Sequence, residues 1–200
     1  MSAVPNAAEP RLAPPGAGLP LPELLIARLI FAWHRRGGDR GRFDRLLRAE
    51  RDAILALVRP LSGTDASRRV LIARLRGLED SSRHWSVWMT LDHLRITNEL
   101  FAGVMRSLAK GVVPGRKAST SAVKPSPSVD GGVVRAFEQS CEAVLAVTKG
   151  QTGSRTDARY AHPWFGPLDE TAWHALAAFH LRLHRRQIER ILEGLLAGRS

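Results

Sequence analysis

Apolar positions recur with a helical period along most of the 200-residue chain. The firmest stretch is residues 168–197, where Trp173, Leu176, Ala177, His180, His184, Ile188, Ile191 and Leu195 fall at spacings of three and four and share one helix face. Arg182, Arg185, Arg186, Glu189 and Glu193 take the opposite face, and Asp169 precedes the helix as an N-cap. Three further segments repeat the pattern. Residues 40–59 align Phe43, Leu47, Ile54 and Val58 and end at Pro60. Residues 83–110, with Ser81 or Ser82 as cap, align Trp85, Met89, His93, Ile96, Leu100, Val104 and Leu108. Residues 130–148 align Val134, Phe137, Cys141, Leu145 and Thr148.

The remaining segments are shorter or lack a period. Residues 1–20, rich in Ala, Pro and Gly, predict a disordered N-terminal segment. Residues 21–38 predict an extra helix opened by Pro22 and Glu23, with Leu24, Leu25, Ile30, Phe31 and Trp33 as its apolar part and Gly37-Gly38 as its break. Residues 69–78 carry Val70, Leu71, Ile72 and Leu75 between loops. Residues 111–129 read as a long loop, suited to a crossover or a lid over one end of the molecule. The aromatic cluster at 160–165 can staple the last helix start onto the core, and His162 within it reads as a loop histidine or as polar decoration at a site mouth. No strand pattern is evident. The prediction is an all-α, up-and-down four-helix bundle over residues 39–200 with an extra N-terminal helix, an architecture that hosts metal sites between facing helices.

Composition narrows the function classes. A 44% hydrophobic content supplies a core for one domain. No apolar run approaches the ~20 residues of a membrane span, and no secretory signal pattern stands at the start, so a cytoplasmic location is the default expectation. The single cysteine, Cys141, excludes an intrachain disulfide and reads as a small buried hydrophobe before it reads as a nucleophile. Net charge is +11, which raises the question of nucleic acid. The charge is mostly arginine spread along the whole chain, without a zinc-finger, RNA-recognition or basic-zipper spacing, so a solvated arginine surface is favoured over a nucleic-acid site.

The candidate chemistry lies in three histidines. His180 and His184 are one turn apart on an apolar face, within reach of a common metal ion; His93 sits in the middle of another apolar face. The simpler alternative is a set of core histidines bonded to backbone or water. Leu181 stands where a zincin motif requires Glu, so that protease class is excluded. Gln187, one turn after His184, and Thr97, one turn after His93, are placed to support the rings, whereas Asp92 is rotated away and Glu99 lies off the His93 stripe.

Two runs carry a family likeness: Trp85-Ser-Val-Trp-Met-Thr-Leu-Asp-His93-Leu, and His162-Pro-Trp-Phe-Gly followed by Trp173 and His180-x-x-x-His184-x-x-Gln187-Ile188. Over residues 40–197 the chain resembles the DinB-like (YfiT-like) metalloenzyme superfamily of bacterial four-helix bundles. The resemblance implies that His93, His180 and His184 are metal ligands for a divalent ion such as zinc or nickel. It also implies a small-molecule substrate, a low-molecular-weight thiol as co-substrate, and a homodimer. Characterised relatives include thiol-dependent S-transferases and a thiol-dependent maleylpyruvate isomerase. The expected function is a metal-dependent thiol S-transferase or hydrolase; the alternative is a non-catalytic binding or stress-response module. The N-terminal extension and the 111–129 loop depart from the compact family pattern.

Overall fold

The computed structural model describes residues 10–149 and 156–198. In chain order the helices are α1 (Leu21–Arg35), α2 (Arg40–Val58), the short α3 (Gly63–Ser67), α4 (Val87–Ala109), α5 (Val133–Lys149) and α6 (Glu170–Ala197). The starts of α2, α4 and α6 are set by Asp39, Ser86 and Asp169, whose side chains accept the backbone N–H groups of Arg42, Met89 and Ala172. Each such cap is worth ~1 kcal/mol.

The main contacts run α2 to α6, α6 to α4, α4 to α5 and α5 back to α2. This closes a four-helix bundle in which α2 stands across from α4, and α5 from α6. The connection at 59–86 carries the chain across that diagonal, from α2 to α4. Phe43, Leu47, Ile54, Leu91, Leu94, Met105, Phe137, Leu145, Trp173 and Leu176 fill the centre with little or no exposure.

Several expectations need correction. The second long helix starts at Val87, not near residue 83, because Ser86 caps it and Trp85 is drawn into a two-residue strand. That strand, β2 (His84–Trp85), pairs antiparallel with β1 (Val70–Leu71), and β3 (Tyr160–His162) pairs with β4 (Gly166–Leu168). Strands this short bury no alternating face, so no period-two signal marks them. The buried line of α4 passes through His93, Leu94, Thr97, Phe101 and Met105, while Leu100 is 37% exposed. The stripe through Ile96 and Leu100 was therefore displaced around the helix. In α1 only Phe31 is buried, against Phe165 and Phe179 with ring centroids 4.6 and 5.6 Å away; Leu25, Ile30 and Trp33 are exposed.

α1 is nonetheless fastened to the bundle. Glu23 accepts hydrogen bonds from Arg74 and from the Gly77 amide, and Arg28 Nε donates to the Trp164 carbonyl at 2.6 Å. Within the segment expected to be disordered, residues 1–9 lie outside the described residues. Residues 10–20 form no helix, but the Ala13 amide is held by Asp80 Oδ2 at 2.8 Å.

Candidate metal centre

α4 and α6 pack side by side, and this places His93 of α4 against His180 and His184 of α6. The Nε2 atoms converge: His93 to His180 is 3.3 Å and His184 to His180 is 3.1 Å. The candidate ligand atoms of all three lie within 4.8 Å of one another. Imidazole nitrogens held tetrahedrally at ~2.0–2.1 Å from zinc stand roughly 3.3–3.4 Å apart, so the spacing suits a divalent ion.

Each ring has a partner on its other nitrogen. His93 Nδ1 donates to the Val123 carbonyl at 2.6 Å. His184 Nδ1 donates to Gln187 Oε1 at 2.6 Å, and Gln187 Nε2 in turn donates to the Ser82 carbonyl at 2.7 Å. His180 Nδ1 makes a longer 3.5 Å contact with Thr97 Oγ1, whose hydroxyl donates to the His93 or Leu94 carbonyl. The bonds to Val123 and Gln187 place the proton of His93 and His184 on Nδ1 and leave their Nε2 lone pairs aimed at His180. With His180 Nε2 at 3.1–3.3 Å from both, the three nitrogens face one point that a cation could share. The donor set fits a divalent metal.

Burial keeps the rings neutral. Desolvation pushes His93 down to about 4, outweighing the opposing pull of its bond to Val123. His180 and His184 are likewise held well below the ordinary histidine value, first by desolvation and then by the neighbouring imidazoles. Trp85 lies nearly parallel to the His184 ring at 6.3 Å and 5.2 Å from that of His93, closing one flank.

The three histidines of the sequence analysis are thus brought together. Gln187 bonds the ligand on its own helix, His184, whereas Thr97 lies against His180 on the facing helix and not against His93. His162 lines the same cleft beside Trp173 and Phe165, and burial lowers it to about 4. Cys141 is fully buried and pushed up to about 12 by desolvation, which makes it unreactive, and it sits among α5 core residues. Glu99 is exposed and bonded to Arg95.

Three contributors escaped the sequence reading. Val123 acts through its carbonyl, which no side-chain pattern reveals. Asp92, one residue before a histidine and rotated away from it, accepts from the Ser126 amide and from Arg95, and so holds the loop that carries Val123. Glu79 is buried beneath the same loop and is bonded by Lys124 and Thr120. Burial alone would raise its carboxyl, but those hydrogen bonds outweigh it and keep the group below the usual carboxylate range. The 111–129 loop is therefore a clamp on the site, with its short 3₁₀ turn (Ser121–Val123) at the contact.

Over residues 45–188 the chain matches the DinB superfamily. It belongs to that superfamily. A crystal structure described as that of TT2238, a four-helix bundle protein, aligns with a TM-score of 0.54 at 22% identity, covering 76% of this chain and 98% of the other. At that identity the likeness speaks for the fold alone. No curated protein matches the chain. The DinB superfamily match begins within α2, so α1 lies outside it. Even so, α1 walls the cleft above the three histidines with Glu23, Ile26, Ala27 and Ile30.

Acid should weaken this centre from within the metal-free protein. A histidine lowered by folding binds its proton more readily when unfolded, so stability is complete above the unfolded value of ~6.5 and falls as pH drops toward the folded value. For His93 and His162 that window runs from ~6.5 to about 4, and His180 and His184 act in the same direction. The expected result is a melting temperature that is flat from pH 8 to 7 and declines steadily from pH 6.5 to 4.5, read by circular dichroism. A flat profile through that window would contradict it.

Proposed function

We propose that the protein is a divalent-metal-dependent enzyme acting on a small molecule in the cleft above His93, His180 and His184, of the thiol S-transferase or hydrolase kind. The observation that carries this reading is the convergence of three Nε2 atoms, with the His93 and His184 rings each oriented by a hydrogen bond on the far nitrogen. His93, His180 and His184 would hold the ion, zinc or nickel by ligand type. When bound, such an ion would supply Lewis acidity and an open position for a sulfur or oxygen ligand.

The chain's own residues do the rest. Val123 and Gln187 fix the rings of His93 and His184, and Trp85 excludes water from one side. The cleft has a volume of about 790 Å³ and is lined mostly by apolar side chains, within the ~300–1,000 Å³ typical of small-molecule sites. A low-molecular-weight thiol co-substrate and a homodimer are part of this proposal, as is a cytoplasmic location. No helix among the described residues is long and apolar enough to cross a membrane.

The test is metal analysis of purified protein, followed by assays with thiols paired with electrophiles and with ester or amide substrates. About one divalent ion per chain and turnover abolished by chelation are expected. A chain that carries no metal and takes none up would refute the proposal. A second reading, a metal-binding module without turnover, is favoured by the carboxylates of the cleft: Glu23 and Glu79 are both fully engaged by basic partners and amides, so neither is free to act as a base. Metal bound without activity over that panel would select it.

Replacing Gln187 tests the ring support separately. Gln187→Leu removes the acceptor of His184 and the donor to Ser82, and metal affinity should fall ~10–100-fold. Competition with a chromogenic chelator measures it, and unchanged affinity would show that Gln187 plays no part.

A further inference from the structure

The cleft carries two features that a metal centre alone does not call for. One is an apolar wall built by three helices: Ile26 and Ile30 from α1, Leu100 and Phe101 from α4, Phe179 and Leu183 from α6. Ile26, Ile30 and Leu100 are 53%, 50% and 37% exposed, so large aliphatic groups remain wet on a concave surface that a ligand would dry. The other feature is charge. Among the charged side chains lining the cleft, Arg74 pairs with Glu23 and Lys124 with Glu79. Arg76, Arg182 and Arg186 also line it, are exposed at its mouth, and have no acidic partner among the described residues.

We infer that this cleft takes a small organic molecule with an apolar body and an anionic end, a carboxylate or comparable oxyanion. The inference deepens the reading of the cleft as a small-molecule site and rests on it. The body lies against the α1, α4 and α6 wall, and the anion meets the arginines at the mouth. Guanidinium groups suit this role because their fork of N–H donors matches a carboxylate two bonds at a time. Three unpaired positive charges around one opening also favour an anion by simple attraction, strengthened by the apolar wall beside them. Because α1 lies outside the matched residues 45–188, its share of the apolar wall, Ile26 and Ile30, falls outside the superfamily match.

The test compares 6-phenylhexanoate with 6-phenylhexan-1-ol, two probes with the same body, by isothermal titration calorimetry. Wild type should bind the acid ~10–100-fold tighter than the alcohol, the effect of one or two charge-assisted hydrogen bonds. In Arg76→Gln/Arg182→Gln/Arg186→Gln the preference should shrink to within about 2-fold, with the alcohol unaffected. Ile26→Glu, which places a like charge on the wall, should weaken the acid more than the alcohol. Equal binding of the two probes to wild type, binding of neither, or a preference that survives loss of all three arginines would overturn the inference.

The same titrations on metal-free wild type separate this inference from the metal proposal. A preference that persists without metal supports the arginine mouth, whatever metal analysis shows. A preference that appears only with metal bound places the anion on the ion and overturns the inference, while leaving the metal proposal standing.

Discussion

His180→Ala is expected to bind a divalent metal roughly 10²–10³-fold more weakly than wild type while keeping its helical content. His180 is the ring that both others approach, at 3.3 Å from His93 and 3.1 Å from His184. A protein zinc site of four ligands is worth ~10–16 kcal/mol, or roughly 2.5–4 kcal/mol per ligand, which converts to about that factor. The fold should survive because His180 is only partly buried and its Nδ1 contact with Thr97 is long, so few interactions are lost with the ring. Competitive chelator titration gives the affinity and far-ultraviolet circular dichroism the helicity. Equal metal content in wild type and variant would remove the three-histidine site from consideration.

The second large effect is structural. Trp173 is fully buried at the start of α6, stacked on Tyr160 at 5.7 Å and tilted against Phe101 at 5.4 Å, with its indole N–H donated to the Tyr160 carbonyl. It joins the β3–β4 hairpin to the bundle and lines the cleft as well. Trp173→Ala should destabilise the fold by ~3–5 kcal/mol, since the cavity left between hairpin and helix has no simple way to collapse. For a chain of this size that lowers the melting temperature by ~6–20 °C. Calorimetry or a thermal melt decides, and a shift under about 2 °C would mean that the hairpin repacks around the loss.

Much of this molecule was legible in the pattern of its side chains. Phe43, Leu47, Ile54 and Val58 fall at helical spacings in the sequence and are buried in α2, because a helix in a bundle must present one stripe to the core. The histidines were legible for the same reason: a polar ring inside an apolar stripe is expensive to bury alone, and two such stripes carried three of them. The start of α4 was misplaced because several serines compete as caps, and the choice of Ser86 follows from the pairing of Trp85 with Val70 in another part of the chain. α1 was legible as a helix, but its apolar residues gave no sign of which would be covered; Phe31 is, and Trp33 is not.

Local order alone therefore determined four long helices, most of the buried faces of α2, α5 and α6, and which histidines lie on α4 and α6. Only the tertiary structure decided that α4 and α6 are neighbours, so that His93 meets His180 and His184. It also decided that a backbone carbonyl from a distant loop orients one ring and that α1 roofs the cleft. The division has a physical cause. Periodicity records how each helix is solvated along its own length, whereas the choice of neighbour and the aim of a carbonyl depend on how separate segments share one core.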